Sequence, residues 1–269
     1  MRHTHQSLLL LPVCLLLFMT SCEGLFSSVY DEAESNTQVT GSQLYIDASS
    51  KTAWYYISFD SLEMLRQQGD MEKLKYAQTH FTPYPIPMTA TGDSVKSPEK
   101  PDMGATGIYT YWYDIFGQGL SVNKFSSFIP TDPQPEPDNW DIAIHYIDAR
   151  TNGGSALETS YTSMDDLPAS SADFSGLTFT PDEWQENTVW VNWDQVLSKY
   201  MGCQGIKINK VLSSWITMEL VTPPPVFTLN NHVFIVKLKN GKYAAVQLQN
   251  YMSSKGDKGV LTINYKYPY

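Results

Sequence analysis

Cys22 has the most definite chemistry in this 269-residue chain. It follows an apolar run over residues 8–18 and the small residues Thr20 and Ser21, after a start that carries Arg2, His3 and His5. A basic start, an apolar core far shorter than the roughly 20 residues that span a bilayer, and small residues before a cysteine predict a signal sequence cut ahead of Cys22. The freed residue would then carry acyl chains. Each buried methylene contributes about 0.8 kcal/mol, so two or more chains hold a soluble domain durably on a membrane. An ordinary secretory signal with an incidental cysteine is the alternative. The scarcity of cysteine elsewhere argues against it.

Cys14 falls in the predicted signal, which leaves Cys203 as the remaining thiol. One thiol makes neither an internal disulfide nor a cysteine metal site, and Cys203 reads as a small buried hydrophobe. His145 is a lone imidazole on a strand, either a base or ligand or, more ordinarily, a ring satisfied by backbone or carboxylate. His232 follows Asn230 and Asn231, where a turn-capping or exposed role is expected. Met164, Met201, Met218 and Met252 are soft donors that more ordinarily fill gaps in a core. Trp184, Trp190, Trp193 and Trp215 would line a flat apolar pocket or build a core.

The carboxylates offer two pairs of the kind glycosidases use, Asp165 with Asp166 and Asp182 with Glu183; both read more simply as turn residues. Asp132, Glu136, Asp138 and Asp141 resemble a calcium loop, but the interleaved prolines make a solvated loop the better reading. There is no G-x-S-x-G, no H-E-x-x-H and no glycine-rich phosphate loop. The formal net charge is −10, and cleavage after residue 21 would remove one further basic residue, Arg2. No basic stripe exists to displace counterions from phosphates, so nucleic acid is not an expected partner.

These side chains must be held by β structure. Residues 23–43 are polar and aperiodic, which suits a tether from Cys22 at the membrane. Residues 52–59 and 107–113 are short, aromatic and β-branched, between Pro, Gly, Asp and Ser clusters. Residues 60–75 predict a short helix broken at Gly69. The proline-rich stretches 82–88 and 130–137 predict surface loops. Over residues 140–146, Trp140, Ile142, Ile144 and Tyr146 alternate onto one face, with Asp141, Ala143 and His145 on the other. Asn152-Gly153-Gly154 supplies a tight reversal. Residues 232–267 read as a meander with turns at Asn240-Gly241 and near residues 256–259. The expectation is a signal over 1–21, a tether over 22–43 and a single β domain over 44–269.

Five blocks then stand in a recognisable order: W-D-I-A-I-H-Y-x-D-A-R-T-N-G-G (140–154), V-L-S-S-W (211–215), P-P-V-F-T-L-N (224–230), V-F-I-V-K-L-K-N-G-K-Y (233–243) and N-Y-M-S-S-K-G-x-K-G-x-L-T-I-x-Y (250–265). Together they resemble the HmuY family, haem-binding surface lipoproteins of Bacteroidetes. Upstream of residue 140 only the general strand pattern is shared. The resemblance implies an all-β, hand-like fold of antiparallel sheets with finger-like loops and few short helices. It also implies non-enzymatic capture of haem, or a related tetrapyrrole, for hand-over to a TonB-dependent outer-membrane transporter. In the family two axial side chains grip the iron, paired histidines in one branch and paired methionines in others; a thioether is soft and favours ferrous iron.

This chain departs from that pattern at the ligands. Pro223 stands where methionine-ligated relatives carry a methionine before a diproline, and residues 188–197 hold no His or Met. Met201 and Met218 are the nearest soft donors, and Trp190 and Trp193 the expected pocket aromatics. The alternative is a structural or interaction lipoprotein, a transporter accessory or a glycan-binding platform, that has lost haem ligation. A third reading, a secreted hydrolase, would use His145 with a carboxylate.

Overall fold

The computed structural model describes residues 41–93, 95–96, 107–112, 126–194, 200–219 and 224–269. The predicted signal, Cys22, nearly all of the tether and Pro223 lie outside the described residues. Residues 39–269 form one unit. In chain order its elements begin with β1 (Gln43–Asp47), β2 (Ala53–Ile57), α1 (Phe59–Gln67), α2 (Met71–Thr79), β3 (Pro83–Pro85), β4 (Val95–Lys96), β5 (Gly107–Trp112), β6 (Ser126–Ile129), β7 (Ile142–His145), β8 (Asp148–Thr151) and β9 (Ser155–Glu158). There follow β10 (Thr180–Pro181), β11 (Glu183–Asn192), β12 (Tyr200–Ile208), α3 (Lys210–Ser213), β13 (Ile216–Glu219), β14 (Val226–Leu229), β15 (Phe234–Lys237), β16 (Tyr243–Met252) and β17 (Lys258–Lys266).

All the strand pairings are antiparallel. They build a six-stranded sheet (β1-β17-β16-β15-β9-β10), a five-stranded sheet (β11-β12-β5-β6-β4), a four-stranded sheet (β3-β2-β7-β8) and an isolated hairpin (β13-β14). The fold is mostly antiparallel sheet with short helices, as the sequence predicts. The C-terminal meander is β15-β16-β17, with Gly241 at φ 83° and Gly256 at φ 89° in its turns. The predicted helix is broken where expected: Gly69 sits at φ 72° between α1 and α2, and the Asp70 side chain accepts from the Lys73 N–H to start the second.

The four-stranded sheet is the middle layer. On one side Ile57, Ile142 and Ile144 join Leu44, Phe234, Val246 and Ile263 of the six-stranded sheet in the main core. On the other, Trp54 and Ala143 pack with Val189, Val191, Ile206 and Ile208 of the five-stranded sheet. A third cluster covers the far face of the six-stranded sheet, where Leu167 and Phe174 close over Val233, Ile235 and Ala245.

In residues 140–146, Ile142 and Ile144 face the main core and Ala143 the opposite cluster, as the alternation predicts, but Trp140 and Tyr146 do not extend it. The strand is only Ile142–His145 and is buried at every position; Trp140 precedes it and packs with the Ala143 cluster. Tyr146 occupies the β7–β8 turn at φ 53°. One proline-rich stretch also differs from expectation. Pro83–Pro85 forms the edge strand β3, a place where a missing N–H costs no ladder bond. Residues 130–137 make only the single bridge Thr131 to Ala90, yet Gln134 among them is buried.

Candidate functional site

The β7–β8 turn, the β1–β2 turn, the end of β11 and the isolated hairpin converge on one small cleft. Lys51, His145, Tyr146, Asp148, Trp190, Trp193 and Met218 are among the residues that line it, around a volume of about 20 Å³. Three of the four residues expected at a haem pocket, Met218, Trp190 and Trp193, therefore share it. Met201 does not line this cleft: it is 1 % exposed, on the face of β12 shared with Cys203 and opposite Gln204 and Ile206.

Local sequence explains each wall. In β11 the register with β12 shifts between Trp190 and Asn192, a bulge that re-aims side chains at the strand end. Trp190 and Trp193 meet edge to face there, with centroids 5.1 Å apart. In the hairpin, Met218 lies directly opposite Phe227. Phe227 stacks on Tyr251 at 5.4 Å and meets Tyr146 edge-on at 6.3 Å. Gly259 permits the Tyr146 position: it holds φ 88°, and a β-carbon there would lie 2.6 Å from the tyrosine ring. The cleft thus has an aromatic wall with one thioether set into it.

His145 forms the floor. Its ring is buried, Nε2 donates to the Lys51 carbonyl at 2.9 Å, and Nδ1 stands 3.8 Å from an Asp148 carboxylate oxygen with no hydrogen-bond partner. With Nε2 donating to a carbonyl, the ring's remaining nitrogen is Nδ1, which is buried and closest to Asp148 rather than open to solvent. This is the backbone-satisfied histidine of the more ordinary reading. Burial lifts the Asp148 carboxyl above the usual carboxylate range, partly opposed by His145. Because the folded pKa lies above the unfolded value near 4, the native state holds this proton more tightly. Its contribution to stability is complete below that value and lost as pH rises through the folded pKa. Asp148→Asn should therefore be more stable than wild type in urea melts at pH 7, with the difference closing below about pH 4. A variant less stable at pH 7 would show that the charge pair with His145 outweighs burial.

Lys51 supplies an ammonium to the cleft. Its Nζ lies 3.6 Å from the Trp193 ring centroid and 4.8 Å from that of Tyr146. Burial lowers its pKa, with no carboxylate offsetting it. Sequence reading missed this residue, since a lysine beside a turn carries no signal until the fold sets it over a tryptophan about 140 positions away.

Several of the other candidates have structural partners. Asp182 accepts from the Thr151 N–H at 2.7 Å, the Thr151 hydroxyl and Asn209 Nδ2, while Glu183 pairs with Lys210 at 3.2 Å. Asp165 and Asp166 sit in an exposed 3-10 turn. His232 Nδ1 meets Glu158 at 2.8 Å. Glu136 pairs with Arg150, whose guanidinium is stacked among Trp54, Tyr56 and Trp140. Trp215 is core, donating to the Ile147 carbonyl. Met164 packs beside Leu167 and Phe174. A wider cleft of about 610 Å³ beside Asp60, Asp138, Asp141 and Lys239 is lined in part by committed groups: Asp60 bonds Lys242 and Tyr267, and Asp141 accepts from the Phe59 N–H. Among the described residues no cluster of three or more His, Cys, Asp or Glu is placed to hold a metal ion, and no helix is long and apolar enough to cross a membrane.

Comparison with known proteins places this geometry in context. The family model described as HmuY protein matches residues 50–265. A solved structure from Bacteroides vulgatus, described as an HmuY-like haem binding protein, is 25 % identical, with a TM-score of 0.54 over 84 % of this chain and 91 % of that one. A lipoprotein from Bacteroides fragilis is also 25 % identical, with a TM-score of 0.54 over 84 % and 89 %. The apo HmuY analog of Tannerella forsythia shares the fold at 20 % identity, with a TM-score of 0.55 over 83 % and 93 %. No curated protein matches the chain.

Proposed function

The chain belongs to the HmuY family, and on that premise we propose a surface-anchored, non-enzymatic lipoprotein that captures haem or a related tetrapyrrole and hands it to an outer-membrane transporter. The observation that carries this reading is the convergence of Met218, Trp190 and Trp193 on one cleft. Flat indole faces suit a porphyrin plane, and a thioether suits its iron. Met218 is the proposed axial donor. Cys22 is the proposed anchor, with the polar stretch to residue 43 as its tether.

Volume sets a condition on this function. About 20 Å³ admits one water molecule and no tetrapyrrole. Entry therefore requires a wall to move, and the β13-β14 hairpin is the wall suited to it. Among the described residues it pairs with no other sheet, and packing of Ile216, Phe227 and Leu229 rather than a strand ladder holds it to the core. Its outward swing would carry Met218 and Phe227 away from the tryptophans, and its return would clamp a planar ligand between them.

Tryptophan emission tests capture directly, because a porphyrin held against Trp190 and Trp193 accepts their excitation energy. Titration with hemin should quench emission with a break at one equivalent. A linear, non-saturating decrease would reject a specific site. The alternative, an interaction lipoprotein without haem ligation, draws on the tightness of the cleft. It predicts that linear result.

A further inference from the structure

Lys51 is an anomaly that tetrapyrrole binding by itself does not require. Its ammonium caps Trp193 and Tyr146, it is half-buried, and among the described residues no carboxylate pairs with it. A half-buried charge without a counter-charge is partly desolvated, and ring quadrupoles return only part of that cost. A second donor stands beside it. The buried indole N–H of Trp193, part of the same ring that the ammonium caps, has no acceptor. Buried polar groups in folded proteins are almost always paired, so the unpartnered Trp193 N–H, beside an ammonium with no carboxylate, marks a place for an acceptor from outside the chain.

We propose that Lys51 and Trp193 Nε1 form a carboxylate anchor, so that the cleft takes a planar aromatic acid, specifically a tetrapyrrole bearing a free propionate, and discriminates against its ester. This rests on the tetrapyrrole reading above and adds to it the ligand's ionisation state and orientation. A carboxylate matches the donors: one oxygen accepts from the ammonium and the other from the indole N–H, while the ring plane lies against Trp190. The whole chain carries a formal charge of −10, so a singly charged group beside this local cation is favoured over a multiply charged anion. With the carboxylate held at Lys51, the macrocycle shares the cleft with Met218.

The test compares hemin with hemin dimethyl ester, which keeps the iron and the ring and removes both carboxylates. Both are titrated against the full protein by Soret absorbance, in wild type and in Lys51→Met, Lys51→Arg and Lys258→Met. The His145 contact is to the Lys51 carbonyl, so these side-chain changes leave it in place. Lys258 lies 4.3 Å over Phe227 on the neighbouring wall and controls for general loss of charge. The expected result is that the ester binds wild type on the order of tenfold more weakly than hemin. Lys51→Met should weaken hemin by about the same factor while leaving the ester unchanged, with most affinity kept in Lys51→Arg and Lys258→Met. Equal affinity for acid and ester, or an equal loss in Lys258→Met, overturns the anchor and leaves tetrapyrrole binding standing. Absence of binding by either compound overturns both.

Discussion

Met218→Ala is expected to remove the proposed axial donor and with it most of the haem affinity, while the fold survives. The residue is only partly buried, on a hairpin that joins no other sheet among the described residues, so truncation opens little of the core. Changing the outer-shell partners of a metal site costs about 10–100-fold in affinity, and loss of a direct donor should cost at least as much. The spectrum should change together with the affinity, because an iron that loses a thioether becomes weaker-field and its Soret band broadens. Met201→Ala gives the opposite pattern. That side chain is 1 % exposed, so its removal costs about 2–5 kcal/mol of stability by urea melt. It should leave the bound spectrum unchanged. If Met201→Ala alters the spectrum and Met218→Ala does not, the thioethers have been assigned the wrong way round.

The second large effect is structural. Trp54 is fully buried between the four- and five-stranded sheets, and its indole N–H donates to Gln204 Oε1 at 2.8 Å. Gln204 Nε2 in turn donates to Gln134 Oε1 at 3.0 Å, and Gln134 Nε2 to the Pro135 carbonyl at 3.1 Å. The same ring lies 5.3 Å from His145 and 5.0 Å beneath the Arg150 guanidinium. It therefore ties the proline-rich loop and both sheets to the floor of the cleft. Trp54→Ala should cost about 3–5 kcal/mol in chemical denaturation. Trp54→Phe keeps the ring but leaves Gln204 Oε1 without its donor in a buried place, at a cost of about 1–3 kcal/mol. If phenylalanine is tolerated without loss, the amide chain contributes nothing to holding the sheets together.

Much of this architecture is legible in the residue pattern. Alternation and Asn240-Gly241 mark the C-terminal meander, and Gly69 marks the helix break, because these depend on local backbone preference. Ala143 and His145 mislead by the same logic. A short strand buried on both faces does not alternate in polarity, and His145 is polar yet buried, with the Lys51 carbonyl accepting from its Nε2. Pro83–Pro85 reads as a loop because its strand character depends on lying at a sheet edge, which a partner decides. At the cleft, Trp190, Trp193 and Met218 stand out by chemical type. Lys51 does not, since its significance arises from a contact across the fold. Met201 is as prominent in sequence as Met218, and only strand phase separates them, placing one with Cys203 and the other across from Phe227.

The central claim is that this cleft opens to ligate haem iron through a thioether. The measurement that bears on it most directly is the absorption spectrum of the purified protein with one equivalent of hemin, recorded oxidised and then after reduction with dithionite. A soft sulfur donor predicts a sharpened, shifted Soret band that is most pronounced, and binding that is tightest, in the ferrous state. A spectrum that matches free hemin in both states would contradict the claim.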